Sequence, residues 1–293
     1  MSAVIERPRN AADAGAHRRR VTELIRSCSI EISPRDELAG EKLHELFDPG
    51  TTIFVNYQGS VTHHDIVAAC ARLQRAGFIP VPHIAARRLV SFTQANDFLR
   101  RATGEAGVTS ALIIGGDPER PVGPFRDSFD LLATGAVERN GIKEVALAGY
   151  PEGHPRIAPT GLEAALEAKV ALARERGLAV SFVTQFGFAA DPVQRWIGSL
   201  RARGLNYPVR IGLAGPASGA TLAKYAFRCG IGASLRALAR GHTAFARVLV
   251  EATPESLIAA LVADEDRGAP IDGLHIFTFG GVHHTAEWIR SLT

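Results

Sequence analysis

Glu31 is the residue whose type and setting carry most chemical information, because it is a carboxylate inside the apolar run of residues 27–32. A glutamate in a strand core is costly unless it is paired or hydrogen-bonded, and burial raises the pKa of a carboxyl group towards neutrality. Such a group is suited to general acid catalysis near pH 7. The alternative is a salt bridge to an arginine on a neighbouring strand or loop, and position alone favours the functional role.

Asp117 and two histidines are the next candidates. Asp117 follows two glycines, which indicates a tight turn where backbone approaches a ligand, although a plain Asp-Pro turn has the same pattern. His83 and His154 have no partner at metal-ligand spacing, so we predict hydrogen-bonded histidines and no metal site. The histidine pairs at 63–64 and 283–284 are predicted to be surface or capping residues at helix starts.

Nucleotide-binding and nucleophile motifs are absent from the sequence: it contains no GxGxxG, no Walker A loop and no GxSxG. Residues 212–219 are glycine-rich and precede a helical pattern. Their amides could face an anion, but an ordinary strand-to-helix loop explains the composition equally well.

The elements that must position these residues alternate between strand and helix patterns. Eight nearly continuous apolar runs predict strands at residues 27–32, 52–56, 79–83, 109–114, 144–148, 179–184, 209–213 and 273–277. Helical periodicity marks residues 65–76, 92–103, 162–176, 192–203, 219–229, 233–250 and 254–267. This alternation predicts a parallel sheet covered by helices. A closed (β/α)8 TIM barrel is favoured over an open doubly wound sheet.

Barrel enzymes draw their catalytic groups from the C-terminal ends of strands and the loops that follow. Polar residues recur at this point in most of the predicted repeats. They are Glu31, Asn56-Tyr57, His83, Gly116-Asp117, Tyr150 to His154, Thr184-Gln185-Phe186 and Thr278-Phe279.

Composition restricts the class of protein. The chain is 46% hydrophobic and 22% charged with a net charge of +3, and no apolar run approaches the ~20 residues of a membrane span. We therefore expect neither a nucleic-acid nor a membrane partner. Arg18 to Arg20 lie in a predicted amphipathic helix, so residues 1–26 are taken as a helical extension of a single domain covering residues 1–293. Three scattered cysteines are predicted to be buried thiols in a reducing, cytoplasmic setting.

The order of these motifs resembles the methylenetetrahydrofolate reductase family. The most specific pieces are Tyr150-Pro151-Glu152-Gly153-His154-Pro155 and Thr184-Gln185-Phe186, and the similarity runs from about Ser27 to the C-terminus. The resemblance implies a short, single-domain barrel that uses FAD and NADH or NADPH to interconvert 5,10-methylenetetrahydrofolate and 5-methyltetrahydrofolate. It also implies a place in one-carbon metabolism and methionine biosynthesis, and a homo-oligomer.

The resemblance assigns a role to each candidate residue. Glu31 becomes the general acid that protonates N10 of the folate, and Asp117 stabilises the iminium charge and contacts the flavin. The residues that would contact the folate are Gln185, Asp117, Phe186, Tyr225 and Phe279. The residues that would line the FAD site are Asn56, Tyr57, His83, Gly116, Asp117, Tyr150, His154 and Lys169.

Four positions depart from the family pattern. Gly115 replaces an arginine, Leu162 replaces a ribose-binding aspartate with Glu163 as a neighbouring stand-in, and Asn56 replaces a threonine near flavin N5. The helix aromatic that packs on the pterin falls at Ala226, between Tyr225 and Phe227. Losing charge-assisted contacts of about 1.5–3 kcal/mol each predicts weakened FAD binding.

Two other functions fit the same residues. One is a folate-binding barrel that transfers a methyl group without redox chemistry, and the other is a non-catalytic partner subunit. Retention of Glu31, Asp117 and Gln185 favours the reductase.

Overall fold

Eight parallel strands follow one another around a closed barrel in chain order in the computed structural model, which confirms the predicted (β/α)8 fold. The structure describes residues 11–36, 43–229, 231, 254–263, 265 and 270–293. The helix predicted at residues 233–250 lies outside them. A helix precedes the first strand, as predicted for the N-terminal extension.

The strands are β1 Ser29–Ile32, β2 Thr52–Val55, β3 Ile79–Ala85, β4 Ser110–Ile114, β5 Glu144–Gly149, β6 Ala179–Thr184, β7 Val209–Ala214 and β8 Gly273–Phe277. The described helices are α1 Ala11–Arg26, α2 His63–Arg75, α3 Phe92–Ala106, α4 Ser128–Ala133, α5 Ala136–Arg139, α6 Pro159–Glu175, α7 Ala190–Ala202, α8 Gly219–Cys229, α9 Pro254–Ala263 and α10 Val282–Leu292. A 3-10 turn covers Ala86–Arg88. The sequence pattern did not predict this turn, α4 or α5, because segments this short carry no helical period.

Residue contacts divide the chain into two compact units, which are described separately. The β1–β6 unit consists of the described residues of Ser29–Tyr150 and Ile157–Thr184, and the β7–β8 unit of those of Met1–Cys28, Pro151–Arg156 and Gln185–Thr293. Of the helices, the first unit contains α2 to α6, and the second contains α1 and α7 to α10.

The β1–β6 unit buries both faces of its strands, which is why they are apolar almost throughout. One face carries a cluster formed by Phe54, Val81, Leu112, Ala146 and Val183. Alternate residues such as Ile53, Ile84 and Ile113 are completely buried on the opposite face. Helices cover the outer face of parallel strands, so the cluster lies on the inner face.

The first helix after β2 begins with a capping box. The hydroxyl of Thr62 accepts from the Asp65 amide at 3.2 Å, and the Asp65 carboxylate accepts from the Thr62 amide at 2.8 Å. His63 is therefore the first residue of α2. It is buried against Phe98 and near Asp97 of α3, so its predicted surface position was wrong, whereas His64 is exposed as predicted.

The β7–β8 unit explains the basic N-terminal helix. Leu24 and Ile25 of α1 are buried, and Arg20 pairs with Glu265 at 3.0 Å and donates to the Ile271 carbonyl at 2.8 Å. Arg18 and Arg19 face solvent. The predicted amphipathic helix with a solvated basic face is confirmed.

None of the helices in the described part of the chain combines the length and apolar character needed to cross a membrane. Cys28 and Cys70 are buried thiols, and Cys229 is partly exposed. Burial raises the pKa of Cys28 to about 12, opposed by the nearby charge of Arg210.

Candidate functional site

Glu31 lies on the inner face of the β1–β6 unit. It is aligned with Phe54 of β2, which is aligned in turn with Val81 of β3, and both neighbours belong to the inner apolar cluster. Residues in register on parallel strands point to the same face. The carboxylate therefore projects beside an apolar layer, and the residue is only 7% exposed.

Two polar side chains from the next two strands reach this carboxylate. Asn56 directly follows β2, where its backbone amide donates to the Ile32 carbonyl at 3.0 Å. Its Nδ2 donates to Oε1 of Glu31 at 3.4 Å. Nε2 of His83, two residues before the end of β3, lies 3.4 Å from Oε2 of Glu31. The structure thus brings Glu31, which was predicted to be the general acid, together with Asn56 and His83, which were predicted to line the FAD site.

His83 is as buried as the carboxylate that it faces. The side chains of His83 and Glu31 are 7% and 8% exposed, and the imidazole packs edge-on against Phe54 at a centroid distance of 6.1 Å. Because β3 continues to Ala85, His83 lies inside the strand rather than at its end. An imidazole and a carboxyl group at this separation can share and exchange a proton.

Asp117 is held by a residue that sequence reasoning did not single out. Arg88, at the end of the 3-10 turn after β3, donates from Nε and Nη2 to the two carboxylate oxygens of Asp117 at 2.7 and 2.8 Å. Its Nη1 donates to the Gly59 carbonyl at 2.8 Å. The only sequence signal for this contact was the Arg87-Arg88 doublet after the third strand.

Tyr57 and Gly116 support this ion pair. The guanidinium of Arg88 lies over the Tyr57 ring at 5.3 Å, and Tyr57 packs edge-on against Phe98 at 6.0 Å. Burial raises the pKa of the Tyr57 hydroxyl, and the charge of Arg88 opposes that shift. Gly116 has a φ of +93°, and a Cβ there would meet Cβ of Ala85 at 3.0 Å, so the turn before Asp117 requires glycine.

Gly115 stands where the family named by the resemblance has an arginine, and the side chain of Arg87 lies close to this position. A side chain at Gly115 would begin 4.0 Å from Nε of Arg87. Arg87 itself donates to the backbone carbonyls of Arg126 at 2.7 Å and of Pro118 at 3.4 Å. Its described contacts therefore fasten the loop after β4.

Lys169 lies on α6 and is half-buried. Burial lowers the pKa of its ammonium group, and the charge of Asp127, the N-cap residue of α4, partly restores it. Among the described residues, Lys169 makes no salt bridge within 4 Å. Tyr150 follows β5 directly and is half-buried, while Glu163, the possible stand-in for the missing ribose-binding carboxylate, is exposed.

In the β7–β8 unit, the predicted substrate residues Phe186, Tyr225 and Phe279 come together. Phe186 is 2% exposed and meets Phe279 edge-on at 4.9 Å. Tyr225 on α8 stacks on Phe279 at 4.0 Å with an angle of 11° between the rings. A Cβ at Gly280 would lie 2.0 Å from the Pro216 carbonyl oxygen, so this glycine allows the close approach that places Phe279.

The structure also resolves the ambiguity around Ala226. Ala226 is completely buried against Phe186, whereas Phe227 is 74% exposed. Tyr225 is therefore the aromatic of α8 that joins the cluster. Of the three adjacent residues, it is the one that stacks on Phe279.

Gln185 and His154 have clear local partners. Gln185 follows β6, and its Oε1 accepts from the Phe186 amide at 3.1 Å, which leaves the Nε2 donors without a hydrogen bond among the described residues. Nδ1 of His154 accepts from the Arg156 amide at 3.2 Å in the loop after β5. This bond stabilises the turn and confirms the predicted hydrogen-bonded histidine.

His275 is a buried polar residue that sequence reasoning missed. It lies on β8, in register with Gly212 and packed edge-on against Phe277 at 4.8 Å, and its exposed fraction is 0%. The signal was the one that revealed Glu31, a polar residue inside an apolar strand. The described residues contain no group of three side chains arranged to hold a metal ion.

Comparison with known proteins supports the class of fold. No family model matches the chain. Among solved structures, the chain is similar to an uncharacterized protein from Clostridium thermocellum that binds two copies of 5-methyl-5,6,7,8-tetrahydrofolic acid. The two share 13% sequence identity and a TM-score of 0.57 over 94% of this chain and 98% of the other. At this identity the likeness shows a shared barrel fold.

Proposed function

We propose that the chain binds a reduced folate and interconverts 5,10-methylenetetrahydrofolate and 5-methyltetrahydrofolate, with Glu31 as the general acid. The observation that carries the proposal is the buried carboxyl group of Glu31, with the amide of Asn56 and the imidazole of His83 both at 3.4 Å. A buried acid with a titratable neighbour is costly to keep and is typical of catalytic sites. The barrel neighbour that binds 5-methyltetrahydrofolic acid supports the choice of substrate.

The chemistry required of Glu31 is a proton transfer. In the direction of reduction, its carboxyl group donates a proton to N10 of the folate, the bond from N10 to the bridging methylene carbon breaks, and a 5-iminium cation forms. The carboxylate left behind faces His83, which stabilises its negative charge when the imidazole is protonated. In the reverse direction, the carboxylate accepts the proton from N10 as the ring closes.

Asp117 has a more restricted role than the family resemblance implies. Arg88 balances its charge with two short hydrogen bonds, so the pair carries little net charge with which to stabilise the iminium cation. The outward side of the carboxylate remains accessible, since the side chain is 36% exposed. We assign Asp117 to hydrogen bonding with N–H groups of the pterin.

The β7–β8 unit supplies groups suited to a flat, polar heterocycle. Tyr225, supported by Phe279 on one face, offers its other face for stacking, and the Nε2 donors of Gln185 are available to a ring carbonyl or nitrogen. Phe186 underlies these rings and fixes Phe279. We assign these residues to folate binding.

One observation is compatible with the FAD that the family resemblance implies. Lys169 is a half-buried cation without a salt bridge among the described residues, and a diphosphate is the kind of anion that such a group holds. Bound FAD would supply hydride exchange between NAD(P)H and the folate. We assign Lys169, Tyr150, His154, Tyr57 and Gly116 to the flavin. Asn56 and His83 are assigned instead to Glu31, which they contact.

The assignment of Asn56 and His83 to Glu31 instead of to the flavin favours a second candidate function. This function is methyl transfer from 5-methyltetrahydrofolate without redox chemistry. Asn56, His83 and Asp117 were all predicted to contact flavin, and each has a side-chain partner within the β1–β6 unit. A barrel that kept its folate groups and lost its flavin would have this arrangement. Methyl transfer to an acceptor in the absence of NAD(P)H would support it.

The test is spectroscopic. Purified protein, supplied with FAD, is expected to show flavin absorption that NAD(P)H bleaches and 5,10-methylenetetrahydrofolate restores. Binding of 5-methyltetrahydrofolate without flavin-dependent turnover would select the transferase. Absence of any reduced-folate binding would contradict both candidates.

A further inference from the structure

Arg88 makes an unusually complete set of contacts for a single side chain in the β1–β6 unit. Its two hydrogen bonds to Asp117 are short and bidentate, at 2.7 and 2.8 Å, and a third bond of 2.8 Å reaches the Gly59 carbonyl. The central carbon of the guanidinium lies 5.3 Å from the centre of the Tyr57 ring. The side chain is 15% exposed.

These contacts join three loops at the C-terminal ends of neighbouring strands. Tyr57 and Gly59 follow β2, Arg88 itself follows β3, and Asp117 follows β4. Bidentate pairing fixes the plane of a carboxylate as well as its position, which a single hydrogen bond or a lysine does not do. The pair therefore fixes the orientation of the Asp117 carboxylate.

We infer that Arg88 is a positioning residue for the folate site: by its bidentate pairing with Asp117, it holds that carboxylate oriented to accept hydrogen bonds from the amino-pyrimidinone edge of a pterin. The inference rests on the proposed function. It adds a residue that neither the motif order nor the family resemblance singled out. Arg88 acts through Asp117 rather than by contact with the ligand.

The Arg88–Asp117 ion pair also affects which ligands the site favours. When a neutral ring covers a carboxylate whose charge is balanced by arginine, the complex avoids the cost of a bare buried charge. Such a carboxylate does not attract a free cation strongly, because the pair is close to neutral. The site therefore favours a neutral heterocycle with adjacent N–H donors, which is the chemistry of the pterin ring.

The experiment measures the Kd of 5-methyltetrahydrofolate by titration calorimetry for the wild type, Arg88→Ala, Arg88→Lys, Asp117→Asn and the double variant. Arg88→Ala should weaken binding by about tenfold or more, the effect of losing a charge-assisted contact. Added guanidinium ion, well below denaturing concentrations, should restore part of that loss. Arg88→Lys should recover less, and Asp117→Asn should cost little once Arg88 is gone.

Arg87→Ala is the matched control. It removes the neighbouring guanidinium, whose described side-chain contacts are the carbonyls of Pro118 and Arg126 in the same loop. It should weaken folate binding less than Arg88→Ala, and guanidinium should not restore that loss. Circular dichroism melts of all variants report whether the fold is retained.

The possible outcomes distinguish failure of the positioning role of Arg88 from failure of the proposed function. If the wild type binds and Arg88→Ala binds equally well, the positioning role is wrong and the proposed function stands. The positioning role is also wrong if the loss matches that of Arg87→Ala and guanidinium has no effect, because Arg88 then only supports the loop. If the wild type binds no reduced folate, the proposed function fails and the inference fails with it.

Discussion

Nε2 of His83 lies 3.4 Å from Oε2 of Glu31, and both side chains are almost entirely buried on the inner face of their strands. The pairing joins β1 to β3 across β2, whose following residue Asn56 contributes the third polar group. A carboxyl group and an imidazole at this distance can exchange a proton. The proposed proton transfer therefore belongs to the Glu31–His83 pair as a unit.

Removing the acid should abolish turnover without abolishing folate binding. Glu31→Gln keeps the shape of the side chain but carries no transferable proton, so the rate of folate conversion should fall by roughly 10²–10⁴-fold. The Kd of 5-methyltetrahydrofolate should change only a few-fold. Steady-state kinetics and titration calorimetry on the same preparation measure both quantities.

Glu144→Gln is the control for that substitution. Glu144 is a second carboxylate of the same unit, at the start of β5, where Ser181 and Ser110 donate to it at 2.8 and 3.4 Å. It lies at the opposite end of the strands from the proposed chemistry, so the variant should keep wild-type turnover. Equal losses in the two variants would mean that Glu31 is structural.

Replacing the imidazole should lower kcat more than it raises KM. His83→Gln leaves a polar side chain beside Glu31 but no second titratable group, so proton transfer slows while the folate contacts remain. His63→Gln removes another buried histidine of the same unit, located at the start of α2, and should leave kcat unchanged. A change confined to KM in His83→Gln would contradict the pairing.

Lys169→Met should stabilise the protein and weaken flavin binding. Burial lowers the pKa of Lys169 in the folded state, so the folded protein disfavours the charged form that predominates at neutral pH. The wild type therefore carries a cost that is present at neutral pH and disappears as pH rises through the lowered pKa towards the ordinary value of 10.5. Lys169→Met lacks this cost.

Denaturant unfolding and flavin fluorescence measure these two effects. The free energy of unfolding of Lys169→Met should exceed that of the wild type at neutral pH, and the difference should shrink as the pH approaches about 10. FAD affinity should fall at the same time. A variant that is less stable and binds FAD normally would remove Lys169 from the flavin site.

Tyr225→Ala should weaken folate binding, whereas Phe227→Ala should not. Tyr225 stacks on Phe279 at 4.0 Å, while Phe227, two residues along α8, is 74% exposed. Loss of one stacking aromatic is worth about 0.5–1.5 kcal/mol, or roughly two- to tenfold in Kd. Calorimetry with 5-methyltetrahydrofolate tests the pair, and equal affinities in both variants would exclude the aromatic cluster from the site.

Strand positions could be predicted from the sequence because both faces of each strand are buried, which leaves long apolar runs with clear ends. Glu31 was visible for the same reason, as a charge inside such a run. The partners of these residues could not be predicted in the same way. Asn56 and His83 reach Glu31 because of the register between β1, β2 and β3, which no local pattern records.

The contact between Arg88 and Asp117 could not be predicted from the sequence for a different reason. A surface-type residue in a short turn carries no periodic signal, and its partner Asp117 lies 29 positions along the chain. Motif order assigned Asp117 a role, but only the side-chain geometry shows that an arginine already neutralises it. The sequence likewise could not show that Tyr225, and not Phe227, stacks on Phe279, because this depends on the orientation of α8.

The central claim, that this barrel binds a reduced folate beside a catalytic carboxyl group, is tested most directly by one titration. Purified wild-type protein and Glu31→Gln are titrated with 5-methyltetrahydrofolate in a calorimeter, with folic acid, whose pterin ring is fully oxidised, as the comparison ligand. The account predicts saturable binding of the reduced folate to both proteins and weaker binding of folic acid. No binding of the reduced folate to the wild type, or loss of that binding in Glu31→Gln, would contradict it.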